Sequence, residues 1–170
     1  MEYLEGLKGK EAGGPGSSAA PSTGSFLLDY WLNPGADHAN HVIVRTGDGM
    51  ILLNGFPYSN GHLLVALGDP RPTLLDYEPA QRATLWSLTE LAAELLQRTL
   101  DPQGINIGIN QGRAAGAGIP QHLHVHLVPR WGGDINFMTV VGNVRVIPSS
   151  LAVMAGKMRE TWARMNAPAR

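Results

Sequence analysis

Residues 122–129 read HLHVHLVP, so histidines and apolar residues alternate along this stretch. In a β-strand, alternate residues lie on the same face and are roughly 6.6 Å apart. A strand here therefore places the imidazoles of His122, His124 and His126 on one face and the apolar side chains between them on the other. A solvated strand face usually carries Thr, Lys or Glu, so this segment is the first candidate for a functional site.

The loop before this strand consists largely of small residues, GRAAGAGI at residues 112–119. Such side chains leave the main chain accessible, and free backbone N–H groups in loops of this kind form concave sites for anions. An anionic group held beside a neutral imidazole suggests phosphoryl or nucleotidyl transfer, with histidine as nucleophile or acid–base group.

Two other interpretations of the histidines remain open. In one, the strand face is polar and rich in histidine without any chemical role. In the other, two ring nitrogens of a His-x-His pair bind Zn²⁺. The chain has no cysteine, and no acidic residue lies beside the histidines in the sequence. These absences weaken the zinc interpretation, and the anion-binding loop before the strand favours the catalytic one.

Length and composition indicate one globular domain, because 44% of the 170 residues are hydrophobic. The 14 acidic residues nearly balance 13 lysines and arginines, so we expect no nucleic-acid partner. The lack of cysteine excludes disulfides, thiol nucleophiles and Cys-ligated metals. No run reaches the ~18 apolar residues of a membrane span, and residues 1–10 lack a signal-peptide core. We therefore expect a soluble cytoplasmic protein without a membrane partner.

The chain divides into a short arm and one α+β domain. Residues 11–25 are almost entirely Gly, Ala, Pro, Ser and Thr, which predicts a flexible N-terminal arm over residues 1–25 and a domain over residues 26–170. Three β-rich runs separated by turn residues predict an antiparallel meander. The predicted strands are residues 41–46, 50–54, 62–67, 105–110 and 122–129.

Two helices are predicted from apolar residues at helical spacing. The first begins near Glu78, with Asp76 as its cap, and ends at Asp101-Pro102. The second covers about residues 150–165. Its apolar stripe predicts packing against a core or a second subunit, and consists of Met154, Met158, Trp162 and Met165.

The pattern His-apolar-His-apolar-His-apolar-apolar at residues 122–128 resembles the signature of the histidine triad superfamily. Residues 116–138, GAGIPQHLHVHLVPRWGGDINFM, look most like bacterial members related to diadenosine tetraphosphate phosphorylases and hydrolases. The similarity also covers residues 51–67, ILLNGFPYSNGHLLVAL. The resemblance implies a five-stranded antiparallel sheet with a packed helix, followed here by a C-terminal helix. It further implies a homodimer, since two subunits of this family commonly join their sheets.

The resemblance also implies a mechanism. His124 attacks the α-phosphorus of a nucleotide and forms a nucleotidyl-imidazole intermediate, which water or inorganic phosphate then cleaves. His126 contacts the scissile phosphate, and His122 and His62 support the nucleophile. The implied substrates are diadenosine tri- and tetraphosphate. The alternatives are a nucleoside phosphoramidate hydrolase, a nucleotide-binding sensor without significant turnover and, less favoured, a metal-binding protein.

Further positions match the family's substrate contacts. They are Asn54, Asn110 and the loop residues Ala117, Gly118, Ile119 and Pro120. Asn54 precedes Gly55 and could simply shape a turn, and His62 could be a hydrogen-bonded core histidine. Ile119 stands where relatives often have a hydroxyl residue on the phosphate, so main-chain groups must do more there.

The sequence departs from the family at a zinc-binding motif. Many relatives begin with Cys-x-x-Cys, and the matching residues here are Ser25 and Leu28, with Asp69 near the place of a usual histidine. We therefore predict no structural zinc and no cofactor required for folding. A divalent cation can accompany the polyphosphate substrate.

Overall fold

One antiparallel sheet organises the fold, in a computed structural model that describes residues 22–134 and 147–167. The five strands lie in the order β1-β2-β3-β5-β4. The strands are β1 (Val42–Arg45), β2 (Gly49–Leu53), β3 (Leu63–Leu67), β4 (Gly104–Ile109) and β5 (His124–Arg130). The helices are α1 (Phe26–Leu32), α2 (Pro79–Leu100) and α3 (Leu151–Met165). The predicted α+β fold, the meander and both long helices are confirmed.

The main core lies between the sheet and the two long helices. α2 packs on β2, β3 and β5, and α3 packs on α2 and β1. Leu123, Val125 and Leu127 belong to this core, as their alternation with histidine predicts. The apolar stripe of α3 also belongs to this core. Met154 and Met158 are fully buried, and Trp162 and Met165 pack against its edge.

A second, smaller core covers part of the opposite face of the sheet. It consists of apolar side chains from β1, β2 and β3 together with Leu27 of α1 and Ile119 of the loop before β5. The helix approaches the end of β3 so closely that a Cβ on Gly68 would lie 2.1 Å from a ring carbon of Trp31. β2 and β3 are therefore buried on both faces, which explains their continuous apolar sequences.

Two local predictions need correction. The cap of α2 is Glu78, whose side chain and that of Gln81 form a capping box. Asp76, the predicted cap, instead accepts from the N–H of Thr73 and closes a short 3₁₀ turn. α2 ends before Asp101-Pro102, as predicted, and Asp101 itself has the left-handed conformation.

The histidine strand is shorter than predicted and α1 was not predicted at all. β5 begins at His124, because the N–H of His122 bonds to Ile119 O and that of Leu123 bonds to Arg71 O, outside the sheet. The short helix has only two turns and follows a Gly/Ser-rich segment, so no helical period was visible. Ser25 caps it through the N–H of Leu28.

The predicted flexible arm falls mostly outside the described residues, of which only 22–25 belong to it. Residues 135–138, at the end of the family-like stretch, also lie outside. In the two described ranges, no helix is long and apolar enough to cross a membrane.

Candidate active site

The site lies on the face of the sheet that carries α1, on β5 between β3 and the edge strand β4. β5 aligns with its neighbours so that His124 is opposite Ala66 of β3, while His126 is opposite Leu64 of β3 and Gly108 of β4. Directly paired residues of antiparallel strands point to the same side. The two imidazoles therefore project together from β5, with centroids 4.8 Å apart.

The protonation of His124 follows from its one strong partner. Its Nδ1 lies 2.9 Å from the main-chain oxygen of His122. A carbonyl oxygen only accepts, so Nδ1 carries the proton of the neutral ring and Nε2 keeps a free lone pair. Burial lowers the pKa of His124, which is 6% exposed, and keeps the ring neutral. Nε2 thus has a lone pair that is available to an electrophile at neutral pH.

His126 has the opposite tautomer, because its partner His62 is itself fixed. His62 Nδ1 accepts from the N–H of Tyr58 at 3.1 Å and from the side-chain amide of Asn54 at 3.3 Å. The proton of His62 is therefore on Nε2, which lies 3.0 Å from His126 Nδ1. His126 Nδ1 accepts this bond, so its own proton is on Nε2.

The electrostatics agree with a neutral His126. Burial, and secondarily the neighbouring His124, lower its pKa from 6.5 to about 4. A neutral ring with Nε2–H can donate a hydrogen bond to an anionic oxygen. β5 therefore presents a nucleophilic nitrogen and a donor nitrogen side by side.

His122 does not line the open face with the other two histidines, contrary to the simple strand expectation. Its ring is fully buried, with Nε2 2.8 Å from Leu67 O and Nδ1 3.1 Å from Ser25 Oγ. The carbonyl fixes the proton on Nε2, so the Ser25 hydroxyl donates to Nδ1 and accepts from the N–H of Leu28. Burial is also the main cause that lowers its pKa.

The two supporting histidines thus act on different members of the pair. His122 reaches His124 through its main-chain oxygen, whereas His62 bonds to His126 and not to the expected nucleophile. Sequence reasoning placed both histidines behind His124. The difference arises because His62 directly precedes β3. The register of β3 with β5 brings His62 next to His126 and not next to His124.

Asn54 and Asn110 occupy different environments. Asn54 Oδ1 accepts from the N–H of Phe56 at 3.0 Å while its amide bonds to His62, so it shapes the turn and supports the site at once. Asn110 directly follows β4. The register continued beyond Ile109–Val125 places it opposite His124, on the imidazole face.

The loop before β5 turns through a short 3₁₀ segment at Arg113–Ala115. Gly112 and Gly116, on either side of it, have φ near +84°, a conformation that favours glycine. Ile119 is buried in the smaller core, whereas Ala117, Gly118 and Pro120 are partly or fully exposed. The side chain at position 119 is therefore directed into the protein and away from solvent.

Sequence reasoning missed Tyr58 as a member of the site. Its ring is nearly parallel to that of His126, at 12° and 6.0 Å between centroids, and lies 4.7 Å from the ring of His62. The only available signal was its position four residues before His62. Nothing in the local pattern indicated which histidines its ring would contact.

The residues at the family's zinc-motif positions do not suit a zinc ion. Leu28 has no donor atom, and the Ser25 hydroxyl is committed to His122. The Asp69 carboxylate accepts from Arg71 and Gln81, at 3.0 and 2.9 Å. Within residues 22–134 and 147–167, no group of three or more His, Cys, Asp or Glu residues is arranged to hold a metal.

Comparison of the chain with known proteins identifies one family. The model of the HIT domain family matches residues 36–133. An AP-4-A phosphorylase of Mycobacterium tuberculosis is 35% identical over 150 residues, which cover 88% of this chain and 75% of that protein. An asymmetrical bis(5'-nucleosyl)-tetraphosphatase of Schizosaccharomyces pombe is 30% identical over 97 residues, 57% of this chain and 53% of that protein.

The solved structures agree. A Zn-bound histidine triad family protein of Mycobacterium smegmatis superposes with a TM-score of 0.65 at 25% identity, over 81% of this chain and 94% of that one. The pattern at residues 122–128, the five-stranded sheet and these matches have one explanation. The chain belongs to the HIT domain family.

Proposed function

We propose that the protein cleaves dinucleoside polyphosphates, diadenosine tri- or tetraphosphate, through a nucleotidyl intermediate on His124. The observation that carries this proposal is the hydrogen bonding of the two histidines on β5, which assigns a free Nε2 to His124 beside an Nε2–H on His126. The names of the two relatives, a phosphorylase of AP-4-A and a bis(5'-nucleosyl)-tetraphosphatase, support this substrate class.

In the first step, the lone pair of His124 Nε2 attacks the α-phosphorus. The N–P bond forms as the bond from phosphorus to the leaving-group oxygen breaks. The ring becomes positively charged, and the hydrogen bond from Nδ1 to His122 O stabilises that charge. His126 donates its Nε2–H to a phosphate oxygen, where it offsets the charge that develops in the transition state.

In the second step, water or inorganic phosphate attacks the same phosphorus and displaces His124. The N–P bond breaks, the lone pair returns to Nε2 and the attacking group loses its proton to solvent or phosphate. No group of the protein is consumed, so the enzyme is regenerated for another turnover. Hydrolysis and phosphorolysis differ only in this second nucleophile.

We infer that substrate binding involves Asn54, Asn110 and the main chain of residues 117–120. Asn54 still has one N–H and one lone pair for a ribose or phosphate, because each of its two polar atoms has used one. Asn110 supports the proposal by its place opposite His124. The small side chains of the loop leave room for phosphate oxygens to approach the backbone N–H groups of Gly118 and Ile119, since the N–H of Ala117 donates to Gly112 O and Pro120 has none.

Product identification tests the function. The protein is incubated with diadenosine tri- or tetraphosphate, with and without inorganic phosphate, and the nucleotides are separated. AMP formed in water indicates hydrolysis, whereas ADP formed only with phosphate indicates phosphorolysis. Tight binding of both substrates without any product would instead identify a nucleotide sensor, and cleavage of phosphoramidates alone a phosphoramidate hydrolase.

We further propose a cytoplasmic homodimer that folds without a cofactor. β4 ends the strand order among the described residues, and Ile107 in its middle is 45% exposed. An apolar edge strand of this kind pairs readily with a second copy. A monomer in sedimentation at micromolar concentration would contradict the dimer.

A further inference from the structure

Tyr58 is large, aromatic and 51% exposed, yet it contacts the two histidines that form the donor half of the site. It lies in the turn between β2 and β3, outside both hydrophobic cores. A half-exposed aromatic ring contributes little to a core, so its placement calls for another explanation. Its contacts with His62 and His126 supply that explanation.

The main chain of Tyr58 fixes the tautomer of His62. Its N–H donates to His62 Nδ1 at 3.1 Å and leaves the proton of that ring on Nε2, directed at His126. This bond persists with any side chain at position 58 except proline. The amide of Asn54 supports it from the second direction, at 3.3 Å.

The ring of Tyr58 restricts the orientation of His126. The two rings are nearly parallel with centroids 6.0 Å apart, inside the range of offset-stacked aromatic pairs. His62 and His124 are tilted against His126 at 45° and 57°. His126 is therefore bordered by three rings, and Gly108 opposite it on β4 leaves open space, with nothing within 4 Å of an added Cβ.

We propose that Tyr58 is a positioning residue, whose ring holds His126 with its Nε2–H directed at the substrate phosphate. The ring acts through His126 and takes no part in bond formation or proton transfer with the substrate. The inference rests on the proposed function for its consequence on turnover. The restriction of the His126 imidazole by the Tyr58 ring, and its shielding from water, are properties of the protein without substrate.

Two variants separate the ring from the rest of the side chain. Tyr58→Phe keeps the stacked ring, whereas Tyr58→Ala removes it and admits water to His126. Trp86→Ala is the matched control, because Trp86 is a similarly exposed aromatic residue, at 54%, on α2. α2 packs on the opposite face of the sheet, away from the histidines.

The deciding measurement is the titration of His126, followed by NMR of the histidine ring protons in the full chain. Among the described residues, the titratable groups facing it are His62, His124 and Tyr58 itself. Water admitted to the ring stabilises its charged form, so Tyr58→Ala should raise the pKa of His126 toward 6.5, by about one unit or more. Tyr58→Phe and Trp86→Ala should leave it unchanged within about 0.3 unit.

Turnover of diadenosine tetraphosphate gives the second measurement. We expect kcat to fall about tenfold or more in Tyr58→Ala, since a misplaced donor loses much of its effect. Tyr58→Phe should keep kcat within about twofold. An unchanged His126 titration in Tyr58→Ala overturns the proposal, and so does a Phe variant that behaves like the Ala variant. If the wild type has no turnover, the proposed function fails while the titration still decides the role of Tyr58.

Discussion

His62 Nε2 lies 3.0 Å from His126 Nδ1, so the histidine at the start of β3 bonds to the third histidine of the triad and not to the second. Both nitrogens of His62 are therefore committed, one to His126 and the other to the turn formed by residues 54–58. This relationship assigns a hydrogen-bond donor to His126 and separates its role from that of His124.

Replacing His124 with alanine or asparagine should abolish the covalent route. We expect kcat to fall by about a thousandfold or more, because in the described part of the site the nitrogens of His62, His122 and His126 each carry a proton or accept a hydrogen bond. Nucleotide binding should largely survive through Asn54, Asn110 and the loop. In the wild type, labelled nucleotide should become attached through an acid-labile bond. Turnover of His124→Ala within about tenfold of wild type would contradict the mechanism.

Replacing His126 with alanine should impair both binding and rate, because this side chain meets the phosphate in the ground and transition states.

Replacing His62 tests its support of the same residue. His62→Gln can still donate an amide N–H to His126 Nδ1, whereas His62→Leu cannot, so kcat should fall clearly further in the leucine variant. Equal kcat values for the two His62 variants would show that this hydrogen bond is irrelevant to turnover.

Ser25 should contribute to stability through His122. Ser25→Ala removes the hydroxyl that donates to a fully buried ring nitrogen and that caps α1. An unpaired buried acceptor costs about 1–3 kcal/mol, and the free energy of unfolding in urea should fall by that order. Ser25→Thr keeps a hydroxyl and should lose less. No difference between the Ala and Thr variants would argue against the hydrogen bond.

Stability should decrease as the pH falls below neutrality. Burial is the main cause that lowers the pKa of His122, His124 and His126 in the folded protein. The unfolded chain, with pKa values near 6.5, then binds more protons than the folded chain. The stabilisation is complete above pH 6.5 and is lost as the pH falls toward about 4, the folded value for His126.

Urea unfolding between pH 7.5 and pH 5 checks this dependence. His126→Gln removes one of the titrating groups, so the stability of that variant should fall less steeply over the same interval. A free energy of unfolding that stays constant or rises as the pH is lowered through this range would contradict the buried neutral histidines.

Folding should not depend on zinc. Ser25 and Leu28 cannot supply the thiolates of a Cys-x-x-Cys motif. We expect the melting temperature to be unchanged after treatment with a chelator and elemental analysis to find no stoichiometric zinc. Activity should also persist once any divalent cation that accompanies the polyphosphate is restored. Loss of structure on removal of a bound metal would refute this expectation.

Local patterns in the sequence predicted most of the fold. The period-two alternation at residues 122–129 predicted the opposed faces of β5, and apolar residues at helical spacing predicted α2 and α3. The pattern failed where long-range contacts override it. His122 leaves the strand because the N–H of Leu123 bonds to Arg71 O, and α1 is too short to show a period.

The sequence by itself determined that His124 and His126 share one face of β5, because successive side chains of a strand point to opposite faces. The pattern at residues 122–128 also indicated the family. The tertiary structure alone decided the tautomers and the pairing of the histidines. Ser25 lies 97 residues from His122, and His62 lies 64 residues from His126. A neutral imidazole places its proton according to its hydrogen-bond partner, and those partners meet only when the strands align and the turn carrying Tyr58 closes against them.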